Sequence, residues 1–261
     1  MASALIATAL IAATCTSPSD ENGVTTATEA ETQSVVANSE GDPTSDGVAV
    51  EPVDIQVALV WHQHQPRYPV VDDVVTLPWV RLHAAKDYVD MATLVEEFPE
   101  LAVTINLTPV LLDQLIELEA GTRDAYWVAS ETPVGELSAD QRKFIAGRFF
   151  DVNPRIVEQF PRLVELREQR DAGVAFDEQD LIDLRTLFNL VWLDPEMPEY
   201  QAVLEAVGGP NAARDFTEAD TEALLAAHDR LVREVIPTHA RLWAEDRIEV
   251  ITTPLSHPIL P

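Results

Sequence analysis

A chain of 261 residues, 46% of them apolar, can bury one substantial core and has the size of one α/β-barrel domain or most of one. Its 45 acidic residues against 17 basic give a formal charge of −28, which repels phosphate backbones and anionic headgroups and excludes nucleic acid as an expected partner. The single cysteine excludes an internal disulfide.

Met1 to Cys15 are nearly all Ala, Ile, Leu, Thr and Ser. The run is too short to span a bilayer, which takes about 20 residues. It reads as the apolar core of a secretory signal, although no Lys or Arg precedes Arg67. Ala12-Ala13-Thr14 before Cys15 resembles a bacterial lipobox, with Thr14 where Gly or Ala is usual. Cys15 is therefore the expected lipidation point of a secreted or cell-envelope protein, and membrane contact is expected only through that anchor. Residues 16–51 are Ser, Thr, Glu, Asp, Ala and Gly with no aromatic and no base, the composition of a disordered acidic linker that cannot bury enough apolar surface to fold.

The expected folded part is 52–261. Asp54 to His62 is rich in β-branched residues with apolar positions on both faces, which predicts a strand covered on both sides. A loop with Pro66, Pro69 and Pro78 follows, and then Tyr88, Met91, Leu94 and Val95 give Ala84 to Phe98 a helical period. Leu101 to Asn106 is a second strand, completing a βαβ unit with parallel strands. Thr108 is placed to cap a helix carrying Val110, Leu111, Leu115 and Leu118. From Gly121 to Arg247 the pattern is helical, over 140–149, 157–170, 177–192 and 217–246, with no strand expected. Thr217 to Asp220 forms a capping-box variant opening the last helix, and Pro237 is expected to kink or split that helix. Glu249 to Thr253 returns to strand. The fold class is α/β, with a large apolar helical insertion serving as a lid or wall between barrel strands.

Chemistry concentrates at strand ends. In Trp61-His62-Gln63-His64-Gln65-Pro66 the two histidines share a face if the strand persists, at the end where parallel barrels gather ligands and catalytic groups. Two neutral imidazoles so placed can also reach one Zn²⁺. Leu77 to Tyr88 adds Trp79, Arg81, His83, Lys86 and Asp87, aromatic faces beside hydrogen-bonding groups that suit a sugar ring. By the same strand-end argument Asn106 and His257 face the common mouth.

Several segments together resemble glycoside hydrolase family 57, over about Val57 to Pro261: the His64-Gln65-Pro66 strand end, Pro78-Trp79 to Met91, the Asn106 strand end, Leu187-Phe188-Asn189-Leu190 with Trp192 and Asp194-Pro195, and Glu249 to Leu260. The resemblance implies an incomplete, TIM-like (β/α)7 barrel, of which this chain carries the first strands. It implies retaining cleavage or transfer on α-glucans such as starch, glycogen or pullulan, with no cofactor and no metal at the reaction centre. His64 matches the histidine of the family's first motif and His257 that of its second. Trp61, His62, His64, Gln65, Trp79 and His257 are the expected sugar contacts. The nucleophilic Glu and the acid/base Asp come from later motifs and are expected beyond Pro261, so the chain reads as the front part of a larger enzyme, inactive alone. Val89 and Ser256 stand where the family commonly has aromatic residues, which bears on subsites more than on class.

Two rivals remain. His-x-His at the end of a first barrel strand is also the signature of metal-dependent amidohydrolases, with His62 and His64 as ligands, although Gln65-Pro66 and His257-Pro have no role there. The other is a tethered glucan-binding lipoprotein that kept a cleft without the chemistry.

Overall fold

The computed structural model describes residues 57–255. Along the chain, strand β1 (Val60–Gln63) is followed by β2 (Val70–Val71) and β3 (Val74–Val75). A continuous helical run comes next: α1 (Trp79–His83), a π-helical turn (Ala84–Tyr88) and α2 (Val89–Glu97). Strand β4 (Val103–Leu107) leads through α3 (Pro109–Glu119) to β5 (Arg123–Asp124). Helices α4 (Ala125–Glu131), α5 (Ala139–Arg148), α6 (Pro154–Val157), α7 (Pro161–Asp171), α8 (Glu178–Val191), α9 (Pro198–Val207) and α10 (Glu218–Ala244) precede β6 (Ile248–Ile251).

The main sheet is parallel, in the order β1-β4-β6. Trp61, Ile105 and Val250 stand in one row across it, and His62, Asn106 and Ile251 in the next. Since side chains alternate along a strand, these rows face opposite ways. The first row, with Val103, Leu107 and Ile248, packs on Ala92 and Val95 of α2, Leu112 of α3 and Leu242 of α10. The second lies on a face that no described helix covers, where Val60 and His62 are exposed and Thr104 donates to Glu249 at 2.7 Å. Expected strands at 54–62, 101–106 and 249–253 are thus found, shifted by a few residues, with 54–56 outside the described residues, and the three parallel strands of this sheet have described helices on one side.

The helical region has its own, larger core. Tyr126, Phe149 and Phe188 are fully buried, with ring centroids 4.7–5.4 Å apart, surrounded by Leu163, Leu181, Leu184 and Leu224. Four expectations need correction. The Pro-rich loop contains a hairpin: Val71 pairs with Val74 across Asp72 and Asp73, whose φ of 50° and 62° supply the left-handed pair that a two-residue turn demands. A strand does intrude on the helical region, because β5 pairs parallel to β3. Thr108 occupies the N-cap of α3, but its hydroxyl donates to the carbonyl of Gln63 at 3.3 Å and accepts no bond from the N–H groups of the helix. Finally, Pro237 does not split α10. It deletes one backbone bond, while Leu231, Val235 and Leu242 are buried on either side, and such burial offsets a penalty of about 3 kcal/mol. The Thr217–Asp220 capping box is present as expected, with Thr217 N donating to Asp220 at 2.7 Å.

Candidate functional site

At the carboxyl end of β1 the rings of His62 and His64 stack, 5.8 Å between centroids and 19° from parallel. They point the same way although the strand ends between them, as the alternation of faces requires. The chain then turns under control of Gln114, on α3: its carbonyl accepts from Tyr68 N at 3.1 Å and its amide donates to Pro66 O at 3.0 Å. That clamp fixes Gln65, which accepts from the Tyr68 hydroxyl at 2.5 Å and lies within hydrogen-bonding reach of Tyr88. Burial pushes the Tyr88 hydroxyl up, so it stays protonated as a donor.

In the row of His62, the buried side chain of Asn106 has an amide oxygen with no protein hydrogen-bond partner among the described residues. Buried amides are nearly always satisfied, so this oxygen marks a place where water or ligand completes the bonding, whereas the likewise unsatisfied amide of Gln63 lies in the next row, on the helix-facing side. Trp61 takes the other direction and packs on the helix-facing cluster.

The helical run after β3 forms the adjoining wall. Trp79, His83 and Lys86 of it meet Trp192, at the C-terminus of α8, and Asp87 pairs with His83. Trp79 and Trp192 have centroids 5.8 Å apart, and His83 meets Trp192 edge-on at 5.6 Å. His83 Nδ1 donates to Asp87 at 2.5 Å, and Lys86 Nζ lies 6.0 Å from the centre of the Trp192 ring. Beyond them Asp90 has its carboxyl pushed up to about 6, by burial first and then by Asp194, Glu196, Asp87 and Glu97.

The sign of that shift makes a prediction. A carboxyl raised in the folded state holds its proton more firmly than in the unfolded chain, whose value is about 3.9. Its contribution to stability therefore falls as pH rises from about 4 through 6. Asp90→Asn should raise the melting temperature at pH 7.5 and raise it less at pH 4.5, in thermal scans against wild type. An equal gain at both pH values would refute this origin of the shift.

On the opposite side of the same helix, Arg81 is buried and joins four elements. It donates to Asp124 at 2.6 and 3.3 Å, to Asn189 at 3.2 Å, and to Nδ1 of His228 at 3.1 Å. A guanidinium only donates, so Nδ1 of His228 accepts and Nε2 gives its hydrogen to Asn189 O at 2.9 Å. Burial, with the Arg81 charge second, pulls His228 down to about 3 and keeps it neutral. This network is structural, and its acceptors Asp124 and His228 are far along the chain from Arg81.

His257 and Cys15, with the expected signal and linker, lie outside the described residues. Among the described residues no group of three His, Cys, Asp or Glu side chains is arranged to hold a metal. A cleft of about 480 Å³ between Val57–Leu59, Ala102–Thr104 and Trp243 lies at the amino ends of the strands, away from the histidines. Tyr68, Tyr88 and Trp192 were not singled out as site residues from the sequence. The only signal was their aromatic character near the His-Gln-Pro and Asn-Leu-Val-Trp segments.

Compared with known proteins, residues 58–261 match the family model described as Glycosyl hydrolase family 57. Neither a curated protein nor a solved structure matches the chain.

Proposed function

The chain belongs to glycosyl hydrolase family 57, and on that premise we propose that it serves an α-glucan-active retaining glycoside hydrolase of the amylase, pullulanase or glucanotransferase type. The observation that supports this reading is the strand-end geometry. Stacked His62 and His64, with Gln65 held between Tyr68 and Tyr88, present ring nitrogens and an amide on one side of a parallel sheet's carboxyl edge. These groups suit the hydroxyl rim of a sugar. The proposed architecture is the first part of an incomplete (β/α)7 barrel, of which β1, β4 and β6 are consecutive strands, with 121–247 as its helical wall. His257 is proposed to join the same cleft.

Retention requires two carboxyls about 5–5.5 Å apart. One attacks the anomeric carbon as the other protonates the leaving oxygen, and water then releases the sugar. No described carboxylate is assigned to either role. The part proposed for His62, His64 and Gln65 is to bind and orient the glucosyl unit through its hydroxyls. We further propose export with a lipid anchor at Cys15, on the strength of the apolar run that precedes it.

The test is sugar release by the full-length protein from maltoheptaose, starch and pullulan, followed by NMR of the first anomer formed. An α-anomer is expected from an α-glucan. A β-anomer, or no release from any of the three, would sink the proposal. His64→Ala should lower kcat/KM about 10- to 100-fold, the worth of one or two hydrogen bonds to substrate.

A further inference from the structure

We propose that the helical wall beside β1 holds a second glucosyl unit, with Trp79 and Trp192 as its apolar platform and His83 as its hydrogen-bonding contact. Asp87 acts as a positioning residue through His83. The inference rests on the reading of the strand end as an α-glucan site and extends it from one sugar to a chain of them.

Three observations carry it. First, the groups form one strip. His62 and His64 lead to Gln65, Gln65 to Tyr88, and the Tyr88 ring lies 6.1 Å from that of His83, which abuts Trp192 and through it Trp79. Tyr88 is the buried link. The part-exposed groups on either side of it, His64 with Gln65 and His83 with Trp79 and Trp192, are the surfaces offered to successive units of an oligosaccharide, each of which has apolar ring faces and a hydroxyl rim.

Second, the π-helical turn is what joins the strip. His83 and Tyr88 are five residues apart, which in a regular α-helix places them about 140° apart around the axis. The wider turn over Ala84–Tyr88 brings them towards one side. Turns of this type are irregular insertions that recur at functional sites. In this one Tyr88 faces Gln65 while His83 and Asp87 remain part-exposed.

Third, His83 is oriented and yet not consumed. With its Nδ1 hydrogen given to Asp87, Nε2 is the atom left for a ligand. The indole N–H of Trp192 is spent on Asp151 O at 3.3 Å, which fixes the plane of the ring and leaves its surface as the contact. A part-exposed hydrogen-bonded pair at i and i+4 adds little to folding by itself, so stability alone gives no reason for this arrangement.

Calorimetric titration of the full-length protein with maltose and with maltoheptaose tests the assignment. Wild type should bind maltoheptaose more tightly than maltose. His83→Ala and Trp192→Ala should each weaken maltoheptaose about fivefold to tenfold or more and leave maltose within about twofold, erasing the benefit of length. His64→Ala should weaken both sugars. Asp87→Asn should weaken maltoheptaose in the native background and add nothing to His83→Ala, as expected of a residue acting through its neighbour. Where circular dichroism shows an alanine variant unfolded, His83→Gln and Trp192→Phe replace it, each retaining part of the length preference. If His83→Ala and Trp192→Ala bind maltoheptaose like wild type and only His64→Ala fails, the second subsite is refuted and the strand-end reading stands. If wild type binds neither sugar, both fall.

Discussion

Asp124→Ala is expected to cost about 3–5 kcal/mol of folding stability, because it strands the buried guanidinium of Arg81. Arg81 and Asp124 are each about 2% exposed, and their closest contact is 2.6 Å. Arginine cannot shed its charge, and the partners that would remain, Asn189, neutral His228 and the Trp127 face at 5.5 Å, carry no negative charge. The same substitution removes the cap of α4, where Asp124 accepts from Trp127 N at 2.8 Å, a loss of about 1 kcal/mol. Urea denaturation measures the sum. The double replacement Arg81→Met, Asp124→Leu should recover much of it, since an apolar pair avoids the desolvation that the ion pair had to overcome. A loss below about 1 kcal/mol for Asp124→Ala would show that water reaches the pair and that the network does not secure the helix.

Phe188→Ala should lower stability by a comparable about 3–5 kcal/mol, through lost transfer energy and the cavity left behind. Phe188 has no exposed surface, and its ring is 4.7 Å from Phe149 and 5.4 Å from Tyr126. It sits on α8 four residues before Trp192, so the face that loosens also carries one wall of the sugar strip. The calorimetric midpoint should fall, and maltoheptaose affinity should fall with it as temperature approaches the new midpoint. Phe188→Leu, which keeps most of the volume, should cost less than half as much. Equal losses for the two would mean that ring stacking, and not volume, dominates the site.

Periodicity located the strands at β1, β4 and β6 and most long helices, because each buries a regular apolar face. The His62–His64 pairing was likewise legible, as alternation decides it. Other features depend on partners distant in sequence. Asp124 is an unremarkable acid until β5 pairs with β3 and carries it to Arg81, 43 residues earlier. The start of the wall at Trp79 was hidden by Pro78, which reads as loop but stands at the helix N-cap, where a missing N–H is harmless. Trp61 and His62 look equally suited to a sugar as letters, yet adjacent strand positions face opposite ways, and the buried Ile105 with the partly buried Val250 beside it settles which one turns inward. At Pro237 the expected split does not occur, since a breaker's local cost yields to burial on both sides.

The π-helical turn at Ala84–Tyr88 has a consequence for comparing this chain with its relatives. A protein may keep every letter of Trp79, His83, Asp87 and Tyr88 and still lose the strip if one residue is inserted or removed among them, because a single step rotates everything beyond it by about 100°. Conversely, letters may drift while the spacing survives. On the proposed second subsite, removing one residue between His83 and Tyr88 should therefore cost more of the preference for long sugars than a conservative substitution of either residue, since it turns one away from the other.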